Sequence, residues 1–197
     1  AIVLTHAHLD HSGYIPLIVK NGFRGKIFCT SATGALCGIL LPDSGHLQEE
    51  DAEFANKHKY SKHAPALPLY TEKDARKSLK YLRSVNYEDK TKITKNVRAE
   101  FFPAGHILGS SIVRLSLDGV TVTFSGDLGR QKNTTHFPPS TVPYTDYLVI
   151  ESTYGDRIHS EENPEDVIAK IINETIQKEG RVLMPSFAVG RAQQLLY

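Results

Sequence analysis

No apolar run in the 197 residues approaches the about 20 that a membrane-spanning helix needs, which argues against a chain that crosses a bilayer as a helix. Cysteine is scarce. Cys29 and Cys37 are the only two, and neither stands in CxxC spacing, so a zinc ribbon and a disulfide framework are both disfavoured. They read as buried, reduced thiols of a cytoplasmic protein. A signal-peptide pattern is also lacking, and the chain starts at Ala1 inside what reads as a strand, so the native N-terminus is expected to lie upstream. There is no internal repeat, and composition is that of an ordinary globular protein, which excludes collagen-like and disordered classes. The length suits one domain or most of one.

Charge of one sign is not in excess overall, with 23 Lys and Arg against 22 Asp and Glu, but it is unevenly spread. Between Lys57 and Arg98 stand twelve Lys/Arg and four Asp/Glu, interleaved with Tyr60, Tyr70, Tyr81 and Tyr87. Such a segment is either a solvated face or a track for a polyanion, in which cations neutralise phosphates and tyrosine rings offer stacking faces. Lys77, Lys80 and Arg83 are the candidates for contact.

Strand and helix patterns alternate from end to end. Strands are expected at 1–4, 26–29, 100–102, 112–117, 120–125, 147–151 and 181–184, with the pair 112–117 and 120–125 joined by Asp118-Gly119, a two-residue hairpin signal. Helices are expected at 14–20, 31–41, 49–58, from Thr71 with Asp74 approximating a capping box, from Asn163 and Pro164 to about 177, and from Val189 onward. The pattern is that of a mixed α/β fold with helices outside.

The stretch Thr5 to Gly13, THAHLDHSG, sets three histidines and an aspartate into six positions directly after an apolar strand. His6 and His8, two apart, present both imidazoles to one side, where they can bind one ion; Asp10 and His11 come where the chain turns and aim at a neighbouring point. Two adjacent metal positions are a natural outcome. Four ligands from one turn cannot close two coordination shells, so others must come from elsewhere. His106 in PAGHILGSS and Asp127 in FSGDLGR both lie at strand ends, where an α/β scaffold displays a site. His46 reads as a helix-end histidine with a local hydrogen bond, His58, His63, His136 and His159 as surface residues, and Thr5 and Ser125 as hydrogen-bond partners of the site, since neither hydroxyl has an adjacent base to activate it.

The ordered set His6-x-His8-x-Asp10-His11, a distant His106, and Asp127 inside SGDLGR resembles the metallo-β-lactamase fold. Glu151-Ser152-Thr153-Tyr154-Gly155 and the run Pro185 to Gln193, PSFAVGRAQ, resemble its β-CASP branch of RNA- and DNA-processing nucleases. The segment from Gly45 to Ala52 is similar to prokaryotic relatives of the cleavage and polyadenylation endonuclease.

The resemblance implies an αββα sandwich of mixed sheets with external helices, truncated at both ends. Residues 1–184 would form the metallo-β-lactamase-like domain and 185–197 the start of a β-CASP domain. An early strand with its own aspartate, most of the β-CASP insertion and two later histidines are lacking, so the chain reads as a central fragment of a longer protein. The resemblance further implies two zinc ions, with His6, His8 and His106 on the first, Asp10 and His11 on the second, and Asp127 bridging. Metal ions would lower the pKa of a water that attacks the phosphodiester and would offset charge on the transition state. Asp10 would orient or deprotonate that water, and Glu151 would hydrogen-bond a ligand histidine and fix its tautomer. Ser186 and Arg191 are candidates for phosphate contact, with N-capping and a surface salt bridge as the plain alternative.

The activity so implied is hydrolysis of single-stranded RNA, endonucleolytic, 5′-exonucleolytic or both, by a homodimer or within an RNA-processing complex and with no membrane partner. A hydrolase of small esters or thioesters would share the ligand pattern but not the Glu151 and Ser186 to Gln193 motifs. A silent scaffold subunit would be expected to have lost ligands, whereas every ligand within the region covered is intact; silence is then disfavoured for the parent protein and stays open for the truncated chain.

Overall fold

The computed structural model describes residues 1–131, 135–158 and 162–196. The chain divides into two compact units, Ala1–Glu151 and Ser152–Tyr197.

In the first unit, β1 (Ile2–Val3), β2 (Ile27–Thr30) and β3 (Leu82–Val85) form a parallel sheet in the order β1-β2-β3, with Ile2 opposite Ile27 and Ile27 opposite Leu82. All four residues of β2 are buried, as expected of a central parallel strand covered on both faces. A second sheet contains β4 (Thr91–Lys92), β5 (Val97–Pro103), β6 (Ser111–Leu117), β7 (Val120–Phe124) and β8 (Tyr147–Val149) in sequence order. It is antiparallel except for the parallel pair β7 and β8. One apolar cluster joins Phe28 to Ala99, Phe101 and Val113, with Val3 and Val85 packed against it, so it draws on both sheets. A smaller one, Phe102, Ala104 and Ile112, lies beneath Leu128 and Val142. The architecture is mixed α/β.

The hairpin at Asp118-Gly119 forms as expected. Both residues take positive φ, 48° and 85°, which is the type I′ geometry that matches strand twist. Thr71 caps α4 (Glu72–Ser78) in a full capping box with Asp74. The helix then tightens into a 3₁₀ turn, Leu79–Tyr81, and becomes strand at Leu82. The helical spacing of Ala75, Leu79 and Leu82 therefore ends in β3, a strand fixed by pairing with β2 and invisible to local periodicity.

Two further expectations are corrected. The helices expected at 31–41 and 49–58 are one, α3 (Ser31–His58), with Pro42 inside it. Burial holds it together across the proline: Leu41, Pro42 and Gly45 are buried, Gly45 lies against the backbone of Thr71 and Glu72, and the Glu72 N–H donates to Glu49 Oε2 at 2.8 Å. His46 consequently sits within a helix rather than at its end, with Glu50 Oε1 3.4 Å from its Nε2 one turn on.

In the second unit, α5 (Pro164–Gln177) has Asn163 as N-cap and Pro164 in its first turn, and α6 (Arg191–Leu196) follows. Residues 181–184 form no strand. Leu183 is 88% exposed, and no strand of the described residues pairs with this segment, so extended backbone there lacks the ladder that defines a strand. No helix of the described residues is long and apolar enough to cross a membrane. Cys29 and Cys37 are buried free thiols, pushed up to about 11 and about 12 by burial.

Candidate metal centre

His6 and His8 follow directly from β1. Asp10 and His11 lie on a one-turn helix of their own, α1 (Leu9–Ser12), ahead of α2 (Ile15–Lys20). Ser12, wholly buried, pins that turn by donating to Ala7 O at 2.9 Å and His8 O at 3.0 Å. The alternation of side chains leaving β1 and the first turn of α1 thus aim four side chains at one place.

The other two loops are carried in from the second sheet. Ser111, at the start of β6, donates both its N–H and its hydroxyl to Thr5 O, at 2.9 and 2.8 Å, which ties the end of β1 to β6. His106 lies in the loop between β5 and β6, whose amides at His106 and Ile107 donate to Ser110 Oγ. That loop is clamped to the start of α3: the hydroxyls of Thr30 and Thr33 donate to Gly109 O at 2.7 and 2.8 Å, and Tyr87 Oη donates to Ser110 O at 3.1 Å. Asp127 follows β7. Glu151 Oε1 accepts the next amide, Leu128 N–H, at 2.8 Å, and Gly129 N–H donates to Ala104 O.

These elements bring His6, His8, His106 and Asp127 together, with one ligand atom of each within 4.8 Å of all the others. His8 Nδ1 stands 3.2 Å from His6 Nε2 and 3.1 Å from His106 Nε2. Asp127 Oδ2 lies 3.6 Å from His6 Nε2 and 3.5 Å from His106 Nε2. A tetrahedral zinc ion with bonds of about 2.0–2.1 Å separates its ligand atoms by about 3.3 Å. The donor set fits a metal ion on this measure.

Protonation agrees with that fit. Burial first, then His11, His8 and His106, push His6 down to about 2, and burial and His8 lower His106 against the opposing pull of Asp127 and Glu151. Both are neutral imidazoles near pH 7, the form that ligates. Thr5 Oγ1 lies 3.2 Å from His6 Nδ1, where it can fix the tautomer that leaves Nε2 free. Ser125 donates to Gly126 O and accepts from Glu151 N–H, so it too supports rather than reacts.

Beside this group, the other oxygen of Asp127, Oδ1, stands 3.2 Å from His11 Nε2, and Asp10 Oδ2 stands 3.4 Å from the same nitrogen. Asp127 therefore faces His6 and His106 with one oxygen and His11 with the other. The Asp10 side chain is 77% exposed while that of His6 is wholly buried, so the centre opens to water on the Asp10 side.

The remaining candidates are elsewhere. Lys77 is in the last turn of α4, Lys80 is in the 3₁₀ turn, and Arg83 is on β3 with its Nη1 donating to Lys80 O and Leu82 O. Ser186 and Arg191 belong to the second unit, Arg191 as the first residue of α6. His58 stacks on Phe54, His63 is exposed, and His136 is half-buried with Thr135 Oγ1 2.6 Å from its Nδ1. His159 lies outside the described residues. The clamp residues Thr30, Thr33, Ser110 and Ser111 were not legible as site residues, because their partners are far away in sequence.

The fold and this His/Asp group define a mixed α/β protein with a group of side chains that can hold a metal ion. The chain is 34% identical over 199 residues to Ribonuclease TTHA0252 of Thermus thermophilus, covering 100% of this chain and 42% of that protein. It is 34% identical over 200 residues to an RNase J-like protein of Methanocaldococcus jannaschii, with the same coverage, and 33% identical over 199 residues to cleavage and polyadenylation specificity factor 73 of Drosophila melanogaster, covering 99% of this chain and 27% of that protein. No family model matches. The chain spans less than half the length of these curated relatives. Its homologues are β-CASP metallo-β-lactamase RNA nucleases, the family that its motifs resemble.

Proposed function

We propose that the chain is the metal-binding core of a zinc-dependent ribonuclease that hydrolyses phosphodiester bonds of single-stranded RNA, as an endonuclease, a 5′-exonuclease or both. The observation that carries this reading is the meeting of three imidazole nitrogens and a carboxylate at ligand spacing, in a chain whose relatives are named as ribonucleases. In this reading the fold is an αββα sandwich, His6, His8 and His106 would hold one zinc ion, Asp10 and His11 would hold a second, and Asp127, which faces both groups, would serve both. A histidine-rich donor set favours zinc over manganese.

Bound zinc would supply Lewis acidity, lowering the pKa of a water and offsetting charge on phosphate oxygens. The chain's own part is to hold and orient. Asp10, open to solvent beside His11, accepts the proton of the attacking water at a carboxylate oxygen. Glu151 fixes the loop after Asp127 through Leu128 N–H, and its charge favours the protonated form of His106. The protein acts in the cytoplasm, as a homodimer or in an RNA-processing complex.

The test is cleavage of labelled single-stranded RNA by the full-length protein, with metal content read in parallel by elemental mass spectrometry. About two zinc ions per chain are expected, and His8→Ala should lower both zinc content and the cleavage rate, the latter by more than about 1000-fold, or ~4 kcal/mol. Undiminished cleavage by His8→Ala would sink the reading. Hydrolysis of small esters that is indifferent to added RNA would assign the centre to small-molecule chemistry.

A further inference from the structure

The two ends of the parallel sheet differ in chemistry. His6 and His8 follow β1, Thr30 ends β2 with Thr33 in the first turn of α3 beyond it, and Tyr87 follows β3, so the candidate metal centre stands at the carboxyl ends of the strands. At the amino ends, Arg24 precedes β2, Lys80 and Tyr81 precede β3, and Lys20 closes the helix α2 that returns the chain there.

Lys20, Arg24, Lys77 and Lys80 line one open cleft of about 190 Å³ together with Asp74 and Tyr81. Four cations thus face one carboxylate. On the other flank of α4 the excess is smaller: Arg76 pairs with Glu72, and Glu49 stands there with Lys73 and Lys77, which lines both sides, so three cations meet two carboxylates. In the cleft, several cationic heads are already held in place. Lys20 Nζ donates to Leu69 O at 2.9 Å and lies 3.6 Å from Asp74 Oδ2, while Arg24 Nη1 donates to Val19 O and Phe23 O, both at 2.8 Å, which leaves the other guanidinium nitrogens to a ligand. Lys80 Nζ lies 5.2 Å from the centre of the Tyr81 ring. Like charges fixed in one concavity raise the local potential and favour an anion, and ordering that is complete before binding does not oppose it.

We propose that this cleft is a phosphoryl-binding exosite that takes a backbone phosphate of single-stranded RNA, at the opposite end of the sheet from the metal centre. The four residues of β2 alone extend about 13 Å at ~3.3 Å each, so one phosphate cannot serve both places. RNA that engages both runs along the protein for several nucleotides. Arg83, whose guanidinium is turned back onto the 3₁₀ turn, is not part of the cleft. The identity of the ligand as RNA rests on the ribonuclease reading; the cationic cleft does not.

The test measures binding of a labelled single-stranded RNA to full-length, metal-stripped protein across a salt series, so that cleavage plays no part. Lys77→Gln with Lys80→Gln, and separately Arg24→Gln, should each weaken binding about tenfold at low salt and flatten the plot of log K against log salt by ~0.7 for each phosphate no longer neutralised. Lys73→Gln with Arg76→Gln removes two charges from the flank that carries two carboxylates and should change affinity less than about twofold. Equal losses in both double variants would reduce the effect to net charge and overturn the proposal, as would no loss in either. Inorganic phosphate should displace RNA from the wild-type protein beyond the effect of chloride at equal ionic strength. Phosphate binding that depends on Lys77 and Lys80 while RNA binding does not would assign the cleft to a free phosphorylated ligand instead. Failure of the ribonuclease reading would show separately, as absence of cleavage by metal-replete protein.

Discussion

Gly109 O is a buried acceptor on which two hydroxyls converge, those of Thr30 and Thr33, and it belongs to the loop that carries His106. Thr30→Val or Thr33→Val keeps side-chain shape and removes the donor, at an expected cost of about 1–3 kcal/mol each. Zinc affinity should fall about 10- to 100-fold with it, because a loosened loop no longer holds His106 Nε2 near His8 Nδ1. Thr→Ser at either position should restore both. Competition with a chelating dye reads the affinity and thermal unfolding the stability; a stability loss with unchanged affinity would leave the clamp a purely structural device. Cys29 and Cys37 make the opposite case, of residues with reactive chemistry and no access to it. With both thiols buried and pushed well above their ordinary range, a disulfide reagent at about pH 8 should label neither in the native protein and both in denaturant.

Two glycines with similar φ separate local from tertiary demands on an element. Gly119 (φ 85°) closes the β6–β7 hairpin, and a Cβ there would meet nothing within 4 Å, so Gly119→Ala should cost only backbone strain, about 1–2 kcal/mol, with metal content unchanged. Gly109 (φ 82°) lies against the backbone of Ala32 and Thr33, where a Cβ has no room, so Gly109→Ala should push the His106 loop off α3 and lower metal content. Elemental analysis and unfolding of the two variants check both statements. The same division explains what the sequence made legible. The Asp118-Gly119 turn, the Thr71 and Asp74 capping box and the Asn163-Pro164 helix start are written in neighbouring residues and formed where expected. The six clustered ligand candidates were legible because His and Asp at strand ends are chemically conspicuous. The continuity of α3 across Pro42, the strand β3 and the threonine clamp all depend on partners 20 or more residues away, such as Glu49 for Glu72 and Gly109 for Thr30, and no local period announces them.

For the whole molecule, the His/Asp group joins both sheets, so a metal ion bound there would be linked to folding. His6 is wholly buried next to three other histidines, and in the metal-free protein it stays neutral down to about 2, whereas the unfolded chain takes up a proton near the ordinary 6.5. Between these values the unfolded state holds more protons, so stability rises with pH: it is complete above about 6.5 and is lost as pH falls, by up to about 1.4 kcal/mol per pH unit for this one group. Zinc bound as proposed would act in the other direction, adding about 2.7 kcal/mol at a free concentration 100 times its dissociation constant. Protons compete for the same nitrogens, so that addition shrinks with acidification. Chemical unfolding of stripped and zinc-replete protein at several pH values between about 5 and about 8 should give two rising curves, with the replete one steeper and the two converging at the acid end. Chelation at neutral pH should drop the upper curve onto the lower. A stripped protein whose stability is flat across this range would show that His6 is not held neutral at the junction of the two sheets, and a constant gap between the curves would show that zinc binds away from the histidines.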